Sequence, residues 1–229
     1  MRKRIEKMNN EPLTFDIETL PTKDKQVIER IASTIRPPGN IKKKESVDAW
    51  MAENYEQALK EKIHETGLNG AYGSVACISW TDANRIVSTL DYFDERSTIE
   101  CFYENVESIC AETFCGHNIV GFDLKFLKQR SMILGIKPPK NILKAMNAKP
   151  WDDCIKDIML MWDMDKNKMT SLDLMCWLFG VEHDHDGFDG SMVAETWPVD
   201  PQKVIDYCIS DVKATQEIYY KMMFETPVF

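Results

Sequence analysis

Apolar and polar side chains alternate from Leu13 to Thr19, in the order Leu-Thr-Phe-Asp-Ile-Glu-Thr. A period of two predicts a strand with Phe15 and Ile17 on one face and Asp16 and Glu18 on the other. Ser74–Trp80 predicts a second strand, Thr81-Asp-Ala-Asn a turn, and Arg85–Phe93 a third strand. Thr113–His117 predicts a short fourth strand, and Asp153–Met161 suits a fifth strand or a helix start. Between them the spacing becomes helical. Ile99, Phe102, Val106 and Ile109 recur between Thr98 and Cys110, and Asp123–Leu134, Ser171–Phe179 and Pro201–Met223 read as further helices. After the first strand, Pro21–Gly70 is polar and helix-rich and reads as an insertion. Pro37-Pro38-Gly39-Asn40 breaks the chain there, and Ser46 suits the cap of a helix through Val47–Lys62. The order implies an α/β fold with a sheet of mixed strand direction.

Composition narrows the picture. The 229 residues suit one domain, 1–229, carrying a helical insertion at 21–70. Seven cysteines, an odd number without a CxxC pair, point to reduced thiols in a cytosol-like compartment. No apolar run is long enough for a membrane span, and the basic start lacks the apolar core of a secretory signal. A net charge of −9 argues against coating nucleic acid by bulk charge, but not against local binding through metal ions. The charge is uneven. Residues 122–149 hold seven basic residues and one acidic, whereas 150–200 hold three basic and twelve acidic. Such runs suit a phosphate and metal site, or two ordinary solvated faces.

Three motifs carry candidate chemistry. Asp16 and Glu18 stand two apart on a strand, so both carboxylates share one face. Two such charges need a cation or a proton between them, and magnesium or manganese takes oxygen ligands of this kind. A lone D-x-E is nevertheless common by chance. Tyr207 and Asp211 are four apart on a helix, stacked one above the other. In Gly116-His-Asn-Ile-Val-Gly-Phe-Asp123 a strand ends, the chain turns and a helix opens. Asp123 there suits either a site or a helix N-cap. Asp157 reads as structural. His183-Asp-His-Asp186 reads as a solvated acidic loop in preference to a zinc site, and Trp151, Trp162, Trp177 and Trp197 read as core.

Taken together, Phe15-Asp-Ile-Glu-Thr19, Asn118-Ile-Val-Gly-Phe-Asp123 and Tyr207-x-x-x-Asp211 resemble the three ordered motifs of the DnaQ-like (DEDDy) 3′–5′ exonucleases of the RNase H-like superfamily. The chain most resembles the predicted exonucleases related to the proofreading domain of family-B polymerases, many of them phage-encoded. Ser171–Met175 and Gly187–Val193 add to that resemblance.

The resemblance implies a mixed five-stranded sheet flanked by helices. It implies two Mg2+ or Mn2+ ions held by Asp16, Glu18, Asp123 and Asp211, with Tyr207 orienting the attacking water. It implies hydrolysis at the 3′ end of single-stranded DNA, with RNA trimming or a non-catalytic binding module as alternatives. Thr19, Asn118, Phe122 and Lys125 are the candidate substrate contacts, with Lys128 and Arg130 as further phosphate contacts or a solvated helix face. No polymerase segment is visible, so the protein is expected either to stand alone or to work in trans with replication or recombination proteins. The expected setting is bacterial or phage-infected cytosol, away from membranes.

Overall fold

The computed structural model describes residues 11–81, 94–149, 151–164, 168–183 and 186–225, and the backbone of 86–88. The first strand, β1 (Leu13–Leu20), pairs antiparallel with β2 (Ser74–Thr81), which pairs antiparallel with β3 (Ile86–Ser88). On its other edge β1 runs parallel to β4 (Phe114–Gly116), and β4 runs parallel to β5 (Ile155–Asp157). The sheet order is therefore β3-β2-β1-β4-β5. The remainder of the third strand expected over Arg85–Phe93, and the turn before it, lie outside the described residues.

Nine helices complete the described chain: α1 (Lys25–Ala32), α2 (Lys44–Glu65), α3 (Glu95–Ser108), α4 (Asp123–Leu134), α5 (Lys140–Ala145), α6 (Ile158–Asp163), α7 (Leu172–Phe179), α8 (Val193–Thr196) and α9 (Pro201–Met222). Helices α1 and α2 lie in the segment between β1 and β2. Helix α2 starts earlier than expected. Lys43, not Ser46, occupies its cap position and makes no side-chain cap bond. Glu45 in the first turn supplies the negative charge that favours a helix start without such a cap. The Asp153–Met161 segment resolves into both of its alternatives in succession, a strand at Ile155–Asp157 and then helix α6.

Alternation along β1 sends Phe15 and Ile17 into a core with Ile78 and Trp80 of β2, Ile99, Phe102 and Val106 of α3, and Leu124 and Leu127 of α4. Phe102 is its hub, with ring centroids 5.1 Å from Phe15 and 5.4 Å from Trp80. Each buried aromatic or aliphatic side chain there contributes roughly 1.5–3 kcal/mol. The opposite face is covered by α9. Its Val204, Ile205 and Cys208 pack with Ala76, Cys77, Phe188 and Trp197. Further along α9, Ala214 and Ile218 join Cys115, Ile158 and Met175. Asp200 caps α9 by accepting from the Lys203 N–H, with Pro201 in the first turn. The polar residues of β1 therefore face a long helix instead of water. Of the four tryptophans expected in the core, only Trp197 is buried; Trp151, Trp162 and Trp177 are 75%, 44% and 78% exposed. Trp162 instead packs edge-on against Phe179, ring centroids 5.3 Å apart, and Trp151 lies under the Lys149 ammonium at 5.5 Å.

Candidate active site

The acidic face of β1 meets α9. Asp16, Glu18 and Asp211 each bring a carboxylate oxygen within 4.8 Å of the other two. Asp16 accepts a hydrogen bond from the Cys208 thiol at 3.4 Å, which ties β1 to α9 beneath the acids. On the neighbouring strand Cys77 lies directly across from Glu18. Glu18 is buried, and the Asp211 side chain is only 14% exposed.

Asp123 enters from the start of α4 and is 2% exposed. Phe122, not Asp123, occupies the cap position. The Asp123 carboxylate instead accepts the Ile17 N–H at 3.1 Å, from the residue lying between Asp16 and Glu18. This bond joins parts of the chain 106 residues apart. Asp123 lies outside the 4.8 Å trio, yet close enough to repel it.

The electrostatics follow from this crowding. Burial, then the charges of Asp123 and Asp211, push the Asp16 carboxyl well above its ordinary range. Glu18 is raised by burial and then by Asp16. Asp123 is raised by burial, although the Ile17 N–H favours its charged form. Asp16, Glu18 and Asp123 are each raised by neighbouring acids, whereas Asp211 has the His183 ring beside it at 2.9 Å. The donors of these four acids are all oxygen, the set that hard divalent cations such as Mg2+ or Mn2+ prefer. The residues present thus fit such an ion on geometry, donor type and charge.

Tyr207 stands one turn before Asp211 on α9 and hydrogen-bonds to its carboxylate. Burial and the nearby acids raise its pKa further, so the phenol keeps its proton and acts as a donor. Its ring packs edge-on against Phe188, with centroids 5.1 Å apart.

The turn that delivers Asp123 is built by its neighbours. Asn118 adopts a left-handed conformation (φ 56°), which asparagine tolerates better than most residues. Gly121 lies against the Asn118 side chain, and a Cβ there would collide with the Asn118 Oδ1. Asp157, 2% exposed at the end of β5, accepts the N–H groups of Asn118 (3.1 Å), Val120 (3.2 Å) and Leu160 (3.2 Å). Asp157 thus holds the turn and caps α6. Asp157→Ala leaves these donors without their acceptor and is expected to destabilise the protein by about 2–4 kcal/mol, measured by chemical denaturation.

The remaining sequence candidates fall as follows. The Thr19 hydroxyl donates to the Gly67 carbonyl at 2.7 Å. Phe122 is half-buried, with its ring centroid 5.7 Å from that of Phe126, and Lys125 is exposed. His117 Nε2 lies 2.8 Å from the Thr170 carbonyl. Lys128 bonds Asn147 at 2.6 Å. Arg130 is not a free phosphate contact: it forms a half-buried two-pronged pair with Glu95, both bonds 2.7 Å. Its position on α4 turns it inward, where the guanidinium also reaches the Gly70 carbonyl.

His183 departs furthest from expectation. Its side chain is 4% exposed and not solvated, with Nδ1 2.8 Å from Asp173 and Nε2 2.9 Å from Asp211. Burial disfavours its charged form, but Asp211 and Cys176 outweigh that and raise its pKa to about 10. Nothing in the local pattern pointed to this contact, because it exists only once α7 and α9 are adjacent. His185 lies outside the described residues.

A family model described as a predicted 3′–5′ exonuclease related to the exonuclease domain of PolB matches residues 71–227. That span holds Asp123, Tyr207 and Asp211 and leaves Asp16 and Glu18 outside. No curated protein matches the chain. Among solved structures, the chain is similar to the family B DNA polymerase of the hyperthermophilic archaeon Pyrobaculum calidifontis, with TM-score 0.59 and 17% identity. The likeness covers 92% of this chain and 24% of the polymerase chain, so the chain spans about a quarter of that protein. At that identity the likeness establishes the fold: a mixed α/β sheet flanked by helices, RNase H-like, as in a polymerase exonuclease domain. No helix among the described residues is long and apolar enough to cross a membrane.

Proposed function

The chain belongs to the family of predicted 3′–5′ exonucleases related to the exonuclease domain of PolB, and from that premise we propose that it is a metal-dependent enzyme removing nucleotides from the 3′ end of single-stranded DNA. The observation that carries this reading is the convergence of Asp16, Glu18 and Asp211, from strand and helix, to within 4.8 Å of one another. We read the whole of 1–229 as one exonuclease domain, with 21–70 inserted after the first strand.

In this reading Asp16, Glu18, Asp211 and Asp123 hold two divalent ions, Mg2+ or Mn2+. Such ions supply an activated water and a counter-charge for the departing 3′-oxygen. The protein's own part is placement. Asp123, hooked to the Ile17 N–H, keeps the second motif in register with the first. The Cys208 thiol holds Asp16 against α9. Tyr207 remains a phenol with its O–H toward Asp211, and its oxygen would orient the attacking water by accepting a hydrogen bond from it. Asn118, Phe122, Lys125 and Thr19 are the proposed contacts that guide the strand toward the acids. The product is a nucleoside 5′-monophosphate.

The test is a 5′-labelled oligonucleotide, as matched DNA and RNA strands, incubated with Mg2+ or Mn2+. The expected result is a descending ladder on DNA, stopped by a chelator. An intact DNA strand in both metals overturns the proposal. Shortening of RNA alone reassigns the substrate.

A further inference from the structure

We propose that His183 is a positioning residue that sets the carboxylate of Asp211 for metal binding, with Asp173 bracing the far side of its ring. The inference rests on the reading of Asp211 as a metal-holding residue.

The backbone is shaped to bring His183 there. Helix α7 ends at Gly180 in a left-handed conformation (φ 61°), which glycine adopts without strain. The Val181 N–H returns to the Cys176 carbonyl at 2.9 Å, and the Val181 side chain is buried. The chain therefore turns back, and the His183 ring, 4% exposed, enters the gap between α7 and α9. Nδ1 lies 2.8 Å from Asp173 Oδ1, in the first turn of α7. Nε2 lies 2.9 Å from Asp211 Oδ1, 28 residues further along the chain.

The partners distinguish this from an ordinary structural histidine. His117 bonds a backbone carbonyl, as a histidine stitching a loop does. Both ring nitrogens of His183 instead face carboxylates, and one of these belongs to the acid cluster. A carboxylate has two oxygens, and a donor on one fixes where the lone pairs of the other point. Asp123 receives such a hold from Ile17, and Asp16 from Cys208. For Asp211 the hold from another element comes from His183, across the α7–α9 gap.

The test uses the full chain, with Mn2+ affinity from calorimetric titration and turnover on a single-stranded oligonucleotide as readouts. His183→Gln places an amide where Nε2 stands and keeps the reach to Asp211. His183→Asn keeps the Asp173 side and loses Asp211. His183→Gln is expected to bind Mn2+ within about threefold of the unmodified protein, and His183→Asn about 10–100-fold more weakly. Turnover should fall in the same order, with KM for the oligonucleotide little changed. A purely structural histidine gives no such ordering. Equal Mn2+ affinity in the two variants, or tighter binding than the unmodified protein in either, overturns the proposal. Asp211→Asn separates the layers. If it leaves Mn2+ affinity unchanged, the metal reading of Asp211 fails and takes this inference with it. If it weakens Mn2+ binding while both His183 variants bind normally, only the positioning role fails.

Discussion

Asp16→Asn is expected to reduce nucleotide release by about 10³-fold or more while raising the melting temperature of the metal-free protein. Both effects come from one carboxylate. Asp16 belongs to the trio whose oxygens lie within 4.8 Å of one another, and a neutral amide is a poor ligand for a hard cation. Loss of a single charge-stabilising group in an active site typically costs about 10²–10³-fold, and loss of a metal ligand at least as much. In the metal-free protein, however, Asp16 is buried beside Asp123 and Asp211 with its charge disfavoured. The amide retains the shape and removes the repulsion. Relief of about 1–3 kcal/mol corresponds to roughly 2–4 °C per kcal/mol for a chain of this size. Turnover on a labelled strand and a melting curve in chelator, both at pH 8, check the two halves. Near-normal turnover removes Asp16 from the metal-binding set. A lower melting temperature means that it stabilises the fold by contacts other than charge.

The second large effect is a pH-dependent stabilisation by metal. Asp16, Glu18 and Asp123 all have folded pKa values raised above their ordinary ones. As pH climbs from the ordinary carboxylate range, near 4, the unfolded chain releases these protons before the folded protein does. Over that window the folded state holds more protons, so stability falls as pH rises through the raised values. His183, with a pKa of about 10, acts in the same direction above its ordinary value of 6.5. The melting temperature of the chelated protein should therefore be lower at pH 8 than at pH 5.5. Mn2+ at one fixed concentration, about 100 times its dissociation constant at pH 8, contributes about 2.7 kcal/mol there, or roughly 5–10 °C. At that same concentration the gain should be smaller at pH 5.5, where more protons compete with the ion for the acids. Equal gains at both pH values would mean that the ion binds elsewhere.

Different parts of the site were legible to different degrees. The face shared by Asp16 and Glu18 follows from strand alternation, and the stacking of Tyr207 over Asp211 follows from helical spacing. The outward tryptophans were not legible, since the hydrophobicity of a ring does not say whether a pocket exists for it. Arg130 lies in a basic stretch that reads as a phosphate surface, yet Glu95, 35 residues earlier, claims it. His183 reads as a solvated loop residue because its acidic neighbours in sequence are uninformative about Asp173 and Asp211 in space.

The order of the elements, the faces on which the acids stand and the oxygen character of their donors were determined by the sequence alone. Each depends on local periodicity or on residue type. The tertiary structure alone decided that α9 lies across β1, that Asp123 hooks the Ile17 amide, and that His183 reaches Asp211. Those distances arise where the packing of a whole core brings together residues tens to hundreds of positions apart, and no local pattern encodes them.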